Sequence, residues 1–191
     1  MMPNLAVQPD RDKTARTDPE CARQRLEHLS MLVGAERVLE LCVGPSLRTF
    51  EHQAEALEIE VWGNDLDKKW RDYHKRGKWI LGDALEVARK HGRDFDAVVF
   101  APPLTKGCTG KREDSFMIDQ VYPRYEDFLP LAKTHLRAAV LVLPGRSTRT
   151  QPDREQYFKL MDKVYRLERR IEVITLTSTR NAQKYVDVYI Y

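Results

Sequence analysis

The stretch FDAVVFAPP, residues 95–103, carries Ala97, Val98, Val99, Phe100 and Ala101 in succession, so both faces of a strand built from it are apolar. A strand that avoids water on both faces needs cover on both sides, which a parallel sheet between two helical layers supplies. The flanking segments agree. RVLELCV (37–43), EIEVWGND (58–65), KWILGD (78–83) and AAVLVLPG (138–145) are four further strand candidates. Helix candidates at 46–57, 66–76, 84–92 and, in part, 122–136 lie between them. Strands joined through helices run parallel, because a crossover returns the chain to the same edge. A strongly periodic helix follows over 153–168. RIEVITLTS (170–178) and KYVDVYIY (184–191), joined by TRNAQ, then read as a hairpin, which makes the last two strands antiparallel. The expected fold is an α/β sandwich around a seven-stranded, mostly parallel sheet ending in an antiparallel hairpin.

Local signals mark the element ends. In DPECARQRLEHLSMLVG, Asp18 is a helix N-cap, Pro19 takes the first helical position and Gly34 stops the helix. Leu26, Leu29, Met31 and Leu32 give that helix an apolar side. Ser46 is read as the N-cap of the 46–57 helix, Gly77 as the stop of the 66–76 helix, and Pro130 as a break or new start. Residues 1–20 hold Pro3, Pro9 and Pro19 among polar groups and are expected to form a flexible arm, with one domain over 21–191. The last strand fits either the middle of the sheet or a pairing across a dimer.

Composition narrows the function classes. Hydrophobic residues make up 42% and charged residues 32% of the 191, the balance of a soluble globular chain. No apolar run reaches the length of a membrane helix, and the polar start lacks a signal core, so a cytoplasmic setting is expected. Three scattered cysteines and five dispersed histidines show no metal-ligand spacing. The net charge of +3 is too mild to announce a nucleic-acid partner by itself.

Ligands of such sheets bind beyond the carboxyl ends of the strands. The first strand ends in Glu40-Leu41-Cys42-Val43-Gly44-Pro45-Ser46, where glycine lets backbone approach a ligand and the next helix offers N–H groups. The second ends in Asn64-Asp65-Leu66-Asp67, with Asp65 about 20 residues past the glycine turn, where an acid receives two ribose hydroxyls. The third ends in Gly82-Asp83-Ala84, and Asp83 is placed to accept from an exocyclic amine. The fourth ends in Ala101-Pro102-Pro103-Leu104, a rigid turn that exposes carbonyls. Taken singly, each of Asp65, Asp67 and Asp83 reads first as a helix N-cap, and the ligand reading rests on their joint placement at successive strand ends; the prolines read equally as a strand stop. A lone glycine, in place of G-x-G-x-x-G, disfavours a dinucleotide.

The sequence from about residue 35 onward resembles the class I, Rossmann-like S-adenosylmethionine-dependent methyltransferases. ELCVGPS is similar to their acidic-x-G-x-G loop, with Glu40 as the acid, Gly44 as the surviving glycine and Cys42 where the family often has its first. The resemblance implies S-adenosylmethionine as cofactor. It implies Asp65, or Asp67, on the ribose, Asp83 on the adenine amine, and Ala84 or Leu85 along the adenine ring. APPL resembles the (Asp/Asn/Ser)-Pro-Pro-aromatic motif of amino methyltransferases, so Pro102, Pro103 and Leu104 would face the acceptor beside Ala101. Ala101 and Leu104 depart from that motif by lacking the side-chain acceptor and the aromatic ring. Phe116, Tyr122 and Tyr125 are candidates to supply stacking.

Lys68, Lys69, Arg71, Lys75 and Arg76 alternate with acids and aromatics and read as a solvated face. Lys106, Lys111 and Arg112, with Arg146 and Arg149, follow strands at the carboxyl edge and suit a phosphate-bearing acceptor such as a nucleic acid or nucleotide. Exposed polar loops are the plain alternative. The expectation is an enzyme methylating a nucleic acid or nucleotide-like molecule. The alternatives are transfer to a small molecule or protein, or a non-catalytic module of the same fold. Glu113, Asp114 and the Pro102 carbonyl are the only general-base candidates, and Cys108 reads as an ordinary loop residue.

Overall fold

The computed structural model describes residues 17–73, 78–103, 118, 121–144, 151–177 and 184–191. Helix α1 (Pro19–Val33) begins with the Glu20 N–H donating to the Asp18 side chain and ends at Gly34, which is left-handed with φ 61°. Asp18 and Cys21 are buried, so the last residues of the segment read as an arm belong to the packed structure. Met31, placed by periodicity on the apolar side, is exposed; Cys21, Ala22, Arg25, Leu26 and Leu29 form the buried face.

The strands are β1 (Arg37–Leu41), β2 (Glu60–Asp65), β3 (Lys78–Leu81), β4 (Ala97–Phe100), β5 (Ala139–Pro144), β6 (Ile171–Thr177) and β7 (Lys184–Ile190). They form one sheet in the order β3-β2-β1-β4-β5-β7-β6. The first five pair in parallel, and β7 runs antiparallel to both β5 and β6. The closing strand therefore lies inside the sheet, with Val186, Val188 and Ile190 on one face and Asp187 and Tyr189 on the other. Connections from β1 run one way to β2 and β3, while β4 and β5 lie the other way. The switch point is thus between β1 and β4, at whose carboxyl ends sheets of this kind bind ligands.

Helices α1 and α2 (Leu47–Glu55) cover one face through Leu26, Leu29, Leu47 and Phe50. Helices α4 (Ala84–His91), α5 (Tyr125–Thr134) and α6 (Gln151–Tyr165) cover the other. There Phe128 stacks on Phe100 at 4.5 Å between ring centres. Gly63 of β2 lets α2 come close, since a Cβ there would lie 2.9 Å from Leu47 Cδ2 and the Trp79 ring.

Two local readings are corrected. Gly44–Ser46 winds as a 3-10 turn and α2 starts at Leu47, so Ser46, in the right-handed region at φ −79° and ψ −15°, does not cap the helix. Its hydroxyl instead accepts from the Thr17 N–H at 2.9 Å. Pro130 lies inside α5 without breaking it. Its ring is on the exposed side, while burial of Phe128, Leu129, Leu131 and Ala132 holds the turn. Helix α3 (Lys68–Tyr73) follows β2. Gly77, residues 104–117 and residues 145–150 lie outside the described residues.

Candidate functional site

The carboxyl ends of β1, β2 and β3 are stitched together. The Val43 N–H donates to the Asn64 carbonyl at 2.9 Å, and the Gly82 N–H to the Asp65 carbonyl at 3.2 Å. Asn64 Nδ2 donates to the Ile80 and Gly82 carbonyls, both at 2.9 Å. Asn64, wholly buried, thereby holds the β3 turn against β2. Sequence reading passed over it as a strand terminus, although an amide closing a run of Val61 and Trp62 was the signal.

At the end of β1 the backbone turns left-handed twice, at Cys42 with φ 59° and at Gly44 with φ 51°. Left-handed backbone costs a non-glycine residue about 1–2 kcal/mol, so Cys42 is a cysteine held in a glycine's conformation. The Gly44 N–H donates to Asp65 Oδ2 at 3.1 Å across 21 residues. Asp65 Oδ1 accepts from the Asp67 N–H at 3.0 Å. Half-burial raises the Asp65 carboxyl above its ordinary range, against the lowering pull of those backbone donors. Burial also raises the Cys42 thiol, reinforced by Asp65, Asp83 and Glu40, so three of the four candidate acids converge electrostatically on this one residue. That thiol is no nucleophile at neutral pH.

The remaining acids divide. Asp67 is exposed, caps α3 by accepting from the Lys69 N–H at 3.0 Å and pairs with the Lys69 ammonium at 3.2 Å. Hydrogen bonding from Lys69 lowers its pKa. It serves as a cap at the start of α3. Asp83 also caps, taking the Leu85 and Glu86 N–H groups on Oδ1 at 3.0 and 3.1 Å. Its Oδ2 has no hydrogen bond among the described residues. Glu40 is 1% exposed and turned beneath α1. Burial raises its carboxyl to about 8, with Arg25 opposing and Asp187 adding to the shift.

Around this turn Pro45, Ser46 and Ala84 are buried, and Leu66 is 70% exposed beside Asp65. Trp70 of α3, mostly buried, brings its indole within 3.9 Å of where a Gly44 Cβ would be, a wall that sequence reading assigned to a solvated helix. After β4, Ala101 is half-buried, Pro102 buried and Pro103 exposed. Tyr122 is 72% exposed. Tyr125 is not a stacking surface: it is 1% exposed, donates its hydroxyl to the Val142 carbonyl at 2.6 Å and meets Phe100 edge-on at 5.7 Å. Leu104, Lys106, Cys108, Lys111, Arg112, Glu113, Asp114, Phe116, Arg146 and Arg149 lie outside the described residues. Among the described residues no cluster of three metal-ligating side chains and no membrane-length apolar helix is found.

No protein-family model matches the sequence, and no curated protein matches it significantly. Solved structures do match by shape. The methyltransferase domain of bacterial CtHen1 superposes with a TM-score of 0.59 at 11% identity, covering 90% of this chain and 98% of that one. A SAM-dependent methyltransferase from Archaeoglobus fulgidus gives 0.57 at 14% identity, over 91% and 95%. The catalytic domain of human Mettl16, solved with an RNA hairpin of the MAT2A 3′UTR, gives 0.64 at 12% identity, over 93% and 71%. The fold is that of the class I methyltransferases.

Within the class I methyltransferase fold, the β1 turn is the element that resembled the acidic-x-G-x-G loop. Cys42 keeps the left-handed backbone expected of a glycine there, so the departure at this position changes the side chain and leaves the chain path intact. The acid of the motif behaves differently from the expectation. Glu40 sits two residues before the turn with its carboxyl in the core between α1 and the sheet, away from the open edge.

Proposed function

We propose that this chain binds S-adenosylmethionine at the carboxyl ends of β1–β4 and transfers its methyl group to a nucleic-acid or nucleotide-like acceptor. The carrying observation is the doubly left-handed turn at Cys42 and Gly44, clasped by Asp65 from the next strand. Such a turn presents backbone rather than side chains to a ligand. Asp65 then receives the ribose hydroxyls on the lone pairs that its two backbone donors leave open, and Asp83 Oδ2 the adenine amine, while Oδ1 stays on the α4 cap. Exposed Leu66 offers apolar surface beside the sugar.

When bound, S-adenosylmethionine supplies an electrophilic sulfonium methyl group, which an acceptor lone pair takes in line as the carbon–sulfur bond breaks. The protein's own part is orientation. Pro102 and Pro103 fix the backbone after β4, so that the Pro102 carbonyl accepts from the acceptor's N–H or O–H and directs its lone pair. Ala101 contributes no hydrogen bond there, which favours, as a second reading, a module that binds the cofactor or a partner without catalysis. Methyltransferases of the same fold, one solved with RNA, support the first reading.

Calorimetry with S-adenosylmethionine and S-adenosylhomocysteine tests cofactor binding. A folded sample that binds neither overturns the proposal. Transfer of labelled methyl groups to separated RNA, DNA, protein and metabolite fractions identifies the acceptor class, and binding without transfer selects the second reading.

A further inference from the structure

A second concavity lies between the first turn of α5 and the middle of α6, with Arg124, Glu126 and Lys159 at its rim and Tyr125 in its wall. Both helices follow strands of the parallel set, so their N-terminal ends stand at the same carboxyl edge as the methyl-transfer site. Tyr125 joins the two places. One side of it lines the groove, while its hydroxyl is fixed to Val142 and its ring packs on Phe100, the residue before Ala101.

The charge of the groove is unbalanced. Arg124 and Lys159 are exposed, and neither side chain has an ion pair or hydrogen bond among the described residues. The one acid at the rim, Glu126, is engaged by Lys163 at 2.7 Å. No side chain caps α5 at Arg124, and Glu126 and Asp127 in its first turn offset the positive end of that helix, so the two cations carry the charge of the groove. Tyr122, 72% exposed, stands two residues before Arg124. Cations interleaved with an exposed aromatic suit a strand whose phosphates need charge and whose bases need a flat surface. An acidic peptide would use the cations and leave the ring idle.

We infer that the groove of Arg124 and Lys159 holds a backbone phosphate of a nucleic-acid strand, with an adjoining base stacked on Tyr122. This rests on the nucleic-acid reading of the acceptor and gives it a binding site separate from the cofactor's residues. The strand would cross the carboxyl edge with one phosphate held beyond Tyr125 while the nucleotide to be modified lies over Pro102.

The test is fluorescence anisotropy with a mixed-sequence single-stranded RNA of about 20 nucleotides, longer than one site. Four proteins are compared: the parent, Arg124→Ala/Lys159→Ala, Tyr122→Ala and Tyr122→Phe. A control, Arg23→Ala/Lys133→Ala, removes the same charge at exposed positions away from the groove. The groove variant is expected to bind about tenfold or more weakly at low salt, with a salt slope shallower by about 0.7 for the one lost single-strand phosphate contact. The control should bind like the parent, Tyr122→Ala more weakly, and Tyr122→Phe nearly normally. Equal affinities of groove variant and control, or a parent that does not bind RNA, overturn the inference. So does competition by polyglutamate as effective as that by unlabelled RNA, which would assign the groove to acidic peptides. S-adenosylhomocysteine calorimetry on the same proteins separates the two readings. Its failure throughout, with the RNA results as expected, removes the cofactor and leaves the groove.

Discussion

Arg25 of α1 and Asp187 of β7, 162 residues apart, form a wholly buried ion pair with Nε–Oδ2 at 2.5 Å and Nη2–Oδ1 at 3.0 Å. The guanidinium also lies 5.7 Å from the Phe50 ring centre and 5.8 Å from that of Tyr185. This pair ties the first helix to the strand inserted last into the sheet. A buried pair with two-point geometry contributes little over an apolar replacement, but losing one partner strands a charge. Arg25→Met should therefore cost about 3–5 kcal/mol in urea unfolding, and Arg25→Met/Asp187→Leu should recover most of it. A double variant as unstable as the single one contradicts this account.

Glu40 lies under the same helix, with Oε2 lacking a hydrogen bond. Its folded-state carboxyl is pushed up to about 8 from an ordinary 4.5, so the folded protein holds a proton that the unfolded chain releases between those values. Stability must then fall as pH rises from about 4.5 to about 8 and level off above. Glu40→Gln should flatten that slope in chemical unfolding measured across the interval. An unchanged slope would place the titration elsewhere.

Cys42 tests the turn. Cys42→Gly fits the left-handed backbone and should leave stability within about 1 kcal/mol and S-adenosylhomocysteine affinity unchanged, relief of strain offsetting lost side-chain packing. Cys42→Val puts a β-branched residue at φ 59° and should cost about 2 kcal/mol. Thermal melts compare the two, and equal costs would mean the thiol, not the backbone, matters here.

Asp65 and Asp83 should separate by what they lose. Asp65→Ala should weaken S-adenosylhomocysteine binding tenfold or more, about 1.4 kcal/mol, in calorimetry. Asp83→Ala should lower stability by about 1 kcal/mol through the lost cap, and Asp83→Ser should restore the stability but not the ligand affinity. Full binding by Asp83→Ser would confine that residue to capping.

Gly63→Ala should destabilise by about 1–3 kcal/mol, because its methyl would enter the 2.9 Å space against Leu47 and Trp79. A melt unchanged from the parent would show that α2 yields there.

Element type and order were legible because they rest on local chemistry: periodicity for the strands, Asp18 and Asp83 for helix starts, Gly34 for a helix stop. Where a neighbour rather than the local chain decided, the reading slipped. Ser46 lost its cap to a 3-10 turn and took Thr17 instead, and Tyr125 was claimed by the Val142 carbonyl. Arg25 looked like any cation on an amphipathic helix. Its one trace was on the far side of the sequence, an acid at 187 inside the apolar strand KYVDVYIY, which needs a partner if buried.

The sequence by itself determined the alternation of elements, the sandwich and the turn after β1, since backbone preference and hydrophobic period act over a few residues. Only the tertiary structure decided how the acids are buried and partnered. Asp65, Asp67, Asp83 and Glu40 differ little in local context, and what separates them is burial and partners brought from other strands and helices. The same holds for Arg124 and Lys159, two unremarkable surface cations until α5 and α6 pack side by side and face them across one groove.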